Sequence, residues 1–194
     1  MAEPTPRLRP LRLSDAQDVL AAFESNPDMA HQGNIVTSER AEQFVRTLVE
    51  YPDQHPWAVD LEGRLVGLVA ITVDPRHRTG WFWYWMHNDF RGRGWMSRAA
   101  ATLAQWALDD AVVERLELAH RTNNPASGAV ARAAGFVREG TERGKFLING
   151  KRIDVATYGR LRSDPAPPRV RLMGSELSCL AYTDTTPAPA KEKS

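Results

Sequence analysis

The chain has one cysteine, Cys179, among 194 residues. A single thiol cannot close an intrachain disulfide, and cysteine zinc sites need clustered thiolates, so both scaffolds are excluded. The same scarcity points to a reducing compartment. Neither sign of charge is in surplus: 25 Lys and Arg face 24 Asp and Glu, a net charge of +1. A protein whose main business is wrapping nucleic acid would carry a strong basic excess. Long apolar runs are missing as well. The longest, Leu65 to Val73, falls far short of the roughly 18 residues a membrane span needs. The first residues place Pro4, Pro6 and Pro10 among arginines, with no apolar signal core. These absences describe a cytoplasmic protein with neither a membrane nor a nucleic acid as partner. With 42% hydrophobic and 25% charged residues, the composition is that of an ordinary globular chain. The length suits one domain with a tail.

The composition shifts near Asp164. Five of the 13 prolines fall in the last thirty residues. That stretch, 165–194, reads as a Pro-rich flexible tail after a domain over 1–164. Val170 to Tyr182 carries enough apolar residues to dock as a strand.

Before the tail, the hydrophobic period switches between two and 3.6. Arg7 to Leu13 reads as a short strand. Ser14 and Gln17 form a capping box for a helix from Asp15 to Ser25, with Val19, Leu20 and Phe23 inward. Pro27 ends that helix. A second helix covers Ser38 to Tyr51, with Phe44, Val45 and Leu48 inward. Strands follow at Trp57–Leu61, Leu65–Val73 and Gly80–His87, the last with five consecutive aromatic residues. Trp81, Trp83 and Trp85 share one of its faces and read as core. A helix over Trp95–Asp110, a strand at Leu116–His120 and a short helix over Ala126–Ala134 come next. Two strands, Phe136–Phe146 and Asp154–Leu161, close on a hairpin turn at Asn149-Gly150. His31, His55 and His77 fall in loops, and no spacing suggests a metal site.

The informative stretch is Asn88-Asp-Phe-Arg91-Gly-Arg-Gly94-Trp-Met96. It follows a strand and opens a helix. Glycines let the backbone approach a ligand. The first helical N–H groups have no partner within the helix, and its dipole adds partial positive charge. Together they suit a pyrophosphate, and Arg91 and Arg93 add forked donors. No Gly-Lys-Ser/Thr follows, so this is not a P-loop, and the dinucleotide fingerprint's third glycine is missing. An Arg/Gly turn that only joins strand to helix has the same spacing.

Arg91-Gly-Arg-Gly94-Trp-Met96 resembles the acyl-CoA pyrophosphate loop of the GCN5-related N-acetyltransferase (GNAT) family, written Gln/Arg-x-x-Gly-x-Gly/Ala. Asn124-Pro-Ala-Ser127 followed by Gly135-Phe136 resembles its Rim-type branch, the ribosomal-protein N-acetyltransferases. Phe146-Leu-Ile-Asn149-Gly-Lys-Arg-Ile-Asp154 to Tyr158 resembles the last hairpin of that branch. Leu8-Arg-Pro-Leu-Arg-Leu-Ser-Asp15 resembles its first strand and the start of its first helix. The resemblance spans about residues 7–163, with four blocks in order.

It implies an α/β (α+β) fold with a mixed, mostly antiparallel central sheet, splayed in the middle and flanked by helices. It also implies acetyl-CoA as cosubstrate, no metal, and transfer of the acetyl group to a primary amine. The acceptor class most in keeping with the branch is a protein or peptide N-terminus. A small amine, such as an antibiotic or nucleotide-linked peptide, is the alternative, and a non-catalytic CoA-binding module is a third reading. Family members occur as monomers and homodimers. The implied CoA contacts are Trp85, Met86 and His87 at the strand end, Arg91, Gly92, Arg93, Gly94, Trp95 and Met96 on the loop, and Asn124 and Ser127. A backbone donor near Trp85 to His87 would meet the oxyanion. Ser127 would protonate or hydrogen-bond the departing sulfur. His87 and His120, each at a strand end, are candidate bases. The chain departs from the pattern at three places. Met96 stands where Gly or Ala is usual, Ala131 stands where many members carry a Tyr, and the aromatic strand carries no carboxylate. The Met96 side chain either crowds the pyrophosphate or points away from it, so Met96→Ala leaves CoA affinity unchanged or improves it, which calorimetric titration measures.

Overall fold

The computed structural model describes residues 4–110, 113–167 and 172. Among these residues seven strands form one sheet: β1 (Arg7–Pro10), β2 (Gln54–Leu61), β3 (Arg64–Asp74), β4 (Thr79–Met86), β5 (Arg115–Arg121), β6 (Val137–Ile148) and β7 (Lys151–Leu161). Four α-helices accompany them: α1 (Ala16–Glu24), α2 (Ser38–Glu50), α3 (Trp95–Asp109) and α4 (Pro125–Ala133). The strand order is β1-β2-β3-β4-β5-β7-β6. Every pairing is antiparallel except β4 with β5.

Two hydrophobic clusters sit on the two faces of the sheet. On one, Phe82 and Met86 of β4 pack with Leu103 and Ala107 of α3. On the other, Trp85 packs with Phe23 of α1 and Val45 of α2. The alternation of β4 therefore feeds both layers, as a strand buried on both faces must. The tryptophan stripe is not uniformly core. Trp85 is buried and Trp83 half-buried, whereas Trp81 is 45% exposed. Trp81 lies where β4 pairs with β5, away from α1 and α2.

Three local expectations are corrected. The first strand stops at Pro10, because the Asp15 carboxylate draws the chain into a 3-10 turn over Leu13–Asp15 by accepting the Arg12 N–H at 2.8 Å. That carboxylate replaces the expected Ser14–Gln17 capping box, and no side chain caps α1. Strand β2 begins at Gln54, so His55 lies in a strand and not in a loop. Its ring meets Trp106 edge-on, and burial lowers its pKa. Pro56 is tolerated in β2 because β1 has ended, and its carbonyl still accepts the Leu11 N–H. The closing hairpin turns at Asn149 (φ 48°) and Gly150 (φ 74°), the type I′ signature.

Of the tail over 165–194, only 165–167 and Leu172 are among the described residues. Leu172 is buried, and its N–H donates to the Thr102 hydroxyl of α3. Cys179 lies outside them. No described helix is long and apolar enough to cross a membrane.

The β1 edge is fixed by a buried ion cluster. Arg9 donates to Asp60 at 2.6 Å and to both oxygens of Asp15 at 2.7 and 2.8 Å. Hydrogen bonding to Asp15 raises the Arg9 pKa further, against the effect of burial. Burial alone would raise the Asp60 carboxyl, but hydrogen bonds from Arg9 and the Gly63 N–H hold it below its usual value. That depressed pKa contributes stability at all pH above the unfolded value of about 3.9, and the contribution is lost as pH falls through the folded value. Arg9→Met leaves the buried Asp15 carboxylate without a cation and Asp60 with only the exposed Arg7, and should cost about 3–5 kcal/mol at pH 7. The deficit should shrink as acid protonates them, which urea melts at pH 7 and pH 4 will check.

Candidate acyl-CoA site

Strands β4 and β5 pair at only three positions, Thr79↔Arg115, Gly80↔Leu116 and Trp81↔Glu117. Beyond Trp81 they diverge and the sheet opens. Gly80 permits the contact at the apex: a Cβ there would sit 2.6 Å from Ile71 and 2.9 Å from Leu116. Backbone groups along a strand alternate in direction. The His87 N–H goes to Val66 on β3, so the N–H groups of Tyr84 and Met86 face the gap. Of the three residues proposed for the oxyanion donor, Met86 is therefore the one aimed into the opening.

A cavity of about 530 Å³ occupies this gap and extends over the loop before α3. Its volume falls in the range of small-molecule sites. At its mouth, helix α3 starts on Gly94 with no side-chain cap and no acidic residue in its first turn. The first helical N–H groups are therefore free to meet an anion. Gly92 and Gly94 hold φ of 78° and 71°, with nothing within 4 Å of a notional Cβ. Both glycines serve the left-handed turn, not close packing.

Ten of the eleven expected CoA contacts line the cavity: Trp85, Met86, Arg91, Gly92, Arg93, Gly94, Trp95, Met96, Asn124 and Ser127. His87 does not. Its Nδ1 accepts the Asp89 N–H, and its ring packs on Phe90. His120 is also absent from the lining. Its Nδ1 lies 2.8 Å from the Arg121 carbonyl and its Nε2 3.2 Å from the Tyr158 hydroxyl. The carbonyl can only accept, so Nδ1 carries a proton, and in the neutral ring Nε2 accepts from Tyr158. Its Nε2 would also lie 2.8 Å from a Cβ at Gly128, so the ring is enclosed beneath α4. The structure thus brings neither histidine to the cavity wall.

The loop arginines are partly engaged. Arg91 Nε donates to the Met86 carbonyl at 3.0 Å and ties the loop to the strand end. Arg93 lies over the Phe90 and Trp95 rings, 5.6 and 5.1 Å from their centroids. The Met96 side chain turns into the core, 7% exposed, among the residues packed around α3. Asn124 caps α4: its Oδ1 accepts the Ser127 N–H at 3.2 Å. Its amide Nδ2 remains for a ligand.

Among the lining residues that sequence reasoning missed, four carry polar or charged groups that bear on the chemistry. Tyr84 bonds Ser127 through its hydroxyl. Arg121 adds a third arginine, and Gln32 and Asp28 come from the α1–α2 connection. Asp28 is the carboxylate of this lining. Only the alternation of β4, which puts Tyr84 on the face opposite the tryptophans, hinted at any of them.

A sheet parted between its two parallel strands, with an uncapped helix start and three arginines at the opening, defines a site for a phosphate-bearing ligand with an extended arm. The profile of the acetyltransferase (GNAT) domain matches residues 7–137, and the chain belongs to that family. It is 28% identical over 101 residues to the ribosomal-protein-serine acetyltransferase of Escherichia coli (strain K12), covering 52% of this chain and 56% of that protein. The chain thus spans little more than half the length of the first curated relatives it matches. Its fold superposes with a TM-score of 0.74 on RimL, a ribosomal L7/L12 alpha-N-protein acetyltransferase in complex with coenzyme A, at 21% identity, covering 83% of this chain and 96% of that one. A TM-score of 0.72 at 19% identity relates it to the microcin C7 self-immunity acetyltransferase MccE in complex with acetyl-CoA and AMP, covering 82% and 93%.

Two substitutions separate the roles of the loop residues. Gly94→Ala forces an L side chain into a left-handed turn, at about 1–2 kcal/mol. Because that turn aims the helix N–H groups, CoA affinity should fall about tenfold by titration calorimetry. Met96→Ala opens the core and should cost about 2–5 kcal/mol of stability. CoA affinity of the folded fraction should stay unchanged.

Proposed function

We propose that this chain is an acetyl-CoA-dependent N-acetyltransferase, with a protein or peptide N-terminus as its acceptor. The observation that carries the reading is one continuous cavity. It joins the uncapped start of α3 to the β4/β5 gap, where Ser127 and the Met86 N–H lie on its wall. The donors present fit the cosubstrate. The N–H groups of Trp95, Met96 and Ser97, with Arg91, Arg93 and Arg121, would hold its pyrophosphate. Asn124 Nδ2 and the strand edge of β4 would hold its amide arm. When bound, acetyl-CoA supplies an activated thioester in the gap.

The residues of the chain do the rest. The Met86 N–H is preorganised to donate to the oxygen on which charge develops. Ser127 hydrogen-bonds the sulfur as it gains charge. The acceptor amine arrives mostly protonated at pH 7. Asp28 on the lining attracts that ammonium, and its proton leaves to water at the cavity rim. The relatives named for ribosomal proteins support a protein N-terminus as acceptor, and a cytoplasmic setting with it. The similarity to a microcin immunity enzyme supports a small nucleotide-linked amine as the rival.

Thiol release from acetyl-CoA, followed with Ser- and Ala-starting peptides, their N-blocked forms and a set of small amines, tests the assignment. Release with free N-terminal peptides and none with blocked ones is expected. Turnover of small amines alone would replace the acceptor. CoA binding without release on any acceptor would leave a non-catalytic module.

A further inference from the structure

Ala131, which the resemblance sets where many members of the family carry a Tyr, is fully buried on α4 and offers no phenol. A phenol reaches the same site from another element. Tyr84 of β4 puts its hydroxyl oxygen 2.8 Å from the Ser127 carbonyl and 2.9 Å from the Ser127 hydroxyl. A carbonyl only accepts, so the single phenol proton goes there. The second contact is then filled by the Ser127 hydroxyl, which donates to Tyr84. Each close oxygen pair holds one proton.

This arrangement constrains Ser127. A serine in the first turn of a helix otherwise turns its hydroxyl to a nearby backbone carbonyl, away from a ligand. Here the Asn124 cap fixes the Ser127 N–H, and Tyr84 fixes its hydroxyl. Both Tyr84 and Ser127 line the cavity. The phenol itself is no acid at neutral pH. Burial pushes its pKa up to about 12, although the Ser127 hydrogen bond works the other way.

We propose that Tyr84 is a positioning residue for Ser127, holding its hydroxyl proton at the edge of the β4/β5 gap until a thiolate takes that hydrogen bond. The exchange is favourable, because a hydrogen bond to an anion is roughly twice as strong as one to a neutral oxygen. The inference rests on the reading of Ser127 as the partner of the sulfur.

The test needs no acceptor. CoA ends in an alkyl thiol that ionises only above neutral pH, and acetyl-CoA differs only at that sulfur. The ratio of their affinities, titrated at pH 7 and pH 9, isolates the interaction with the thiolate. In the wild type the preference for CoA should rise about tenfold at pH 9, the scale of one charge-assisted hydrogen bond. Ser127→Ala should abolish the rise. Tyr84→Phe should reduce it, because the hydroxyl must then rotate away from a backbone carbonyl to reach the sulfur, and the double variant should match Ser127→Ala. Ser127→Thr keeps a hydroxyl and should retain the full rise only while Tyr84 is present. A wild-type rise in Tyr84→Phe, or a further loss when it is added to Ser127→Ala, overturns the positioning role alone. A wild type with no rise removes the sulfur role from Ser127 and this role with it, and leaves acetyl transfer to the peptide assay.

Discussion

Among the described residues, the backbone of β4 beyond Trp81 has a neighbour on one side only. That missing pairing is the constraint on which the site depends. A buried strand with unsatisfied N–H and C=O groups is costly. The fold accepts it because the open edge faces a cavity, where a ligand or water can complete the hydrogen bonds. The open edge also makes the donors of β4 aimed and available. A fully paired sheet would have spent the Met86 N–H on β5.

Keeping the gap open requires that each half of the sheet be held independently. On one side, the Arg9–Asp15–Asp60 cluster locks β1, β2 and the approach to α1. On the other, Arg160 of β7 donates to the Ala134 carbonyl at the end of α4 and to Gln105 of α3. Its guanidinium is 1% exposed, and burial pulls its pKa below the usual value. A cation at a helix C-terminus is favoured by the dipole, and this one ties α3 and α4 to the far half of the sheet. The two helices that bear the Arg91–Met96 loop and Ser127 are thereby fixed relative to each other. Between the halves, the apex at Gly80 is the narrow hinge of contact.

Much of this was legible from residues alone. The period of β3 and β4 announced central strands, and Asn149-Gly150 announced its turn. The loop from Arg91 to Met96 read as an anion site because its logic is local: glycines, a helix start and arginines contiguous in the chain. Asn124 and Ser127, one helical turn apart, were legible for the same reason. The histidines were not legible in the same way: each ends a strand beside a motif, but the direction its ring takes is set by packing, not by neighbours in the chain. His120 is turned beneath α4 onto Tyr158, and His87 folds back on its own loop.

Sequence by itself determined the element order, the glycine–arginine turn before α3 and the residues at the start of α4, since each is set by neighbours within about one helical turn. Tertiary structure alone decided what meets across the gap. Tyr84 and Ser127 are 43 positions apart in the chain, and Asp28 reaches the same cavity from the connection after α1. No local periodicity encodes such meetings. They follow from where β4 parts from β5, and that is set by packing on both faces of the sheet at once.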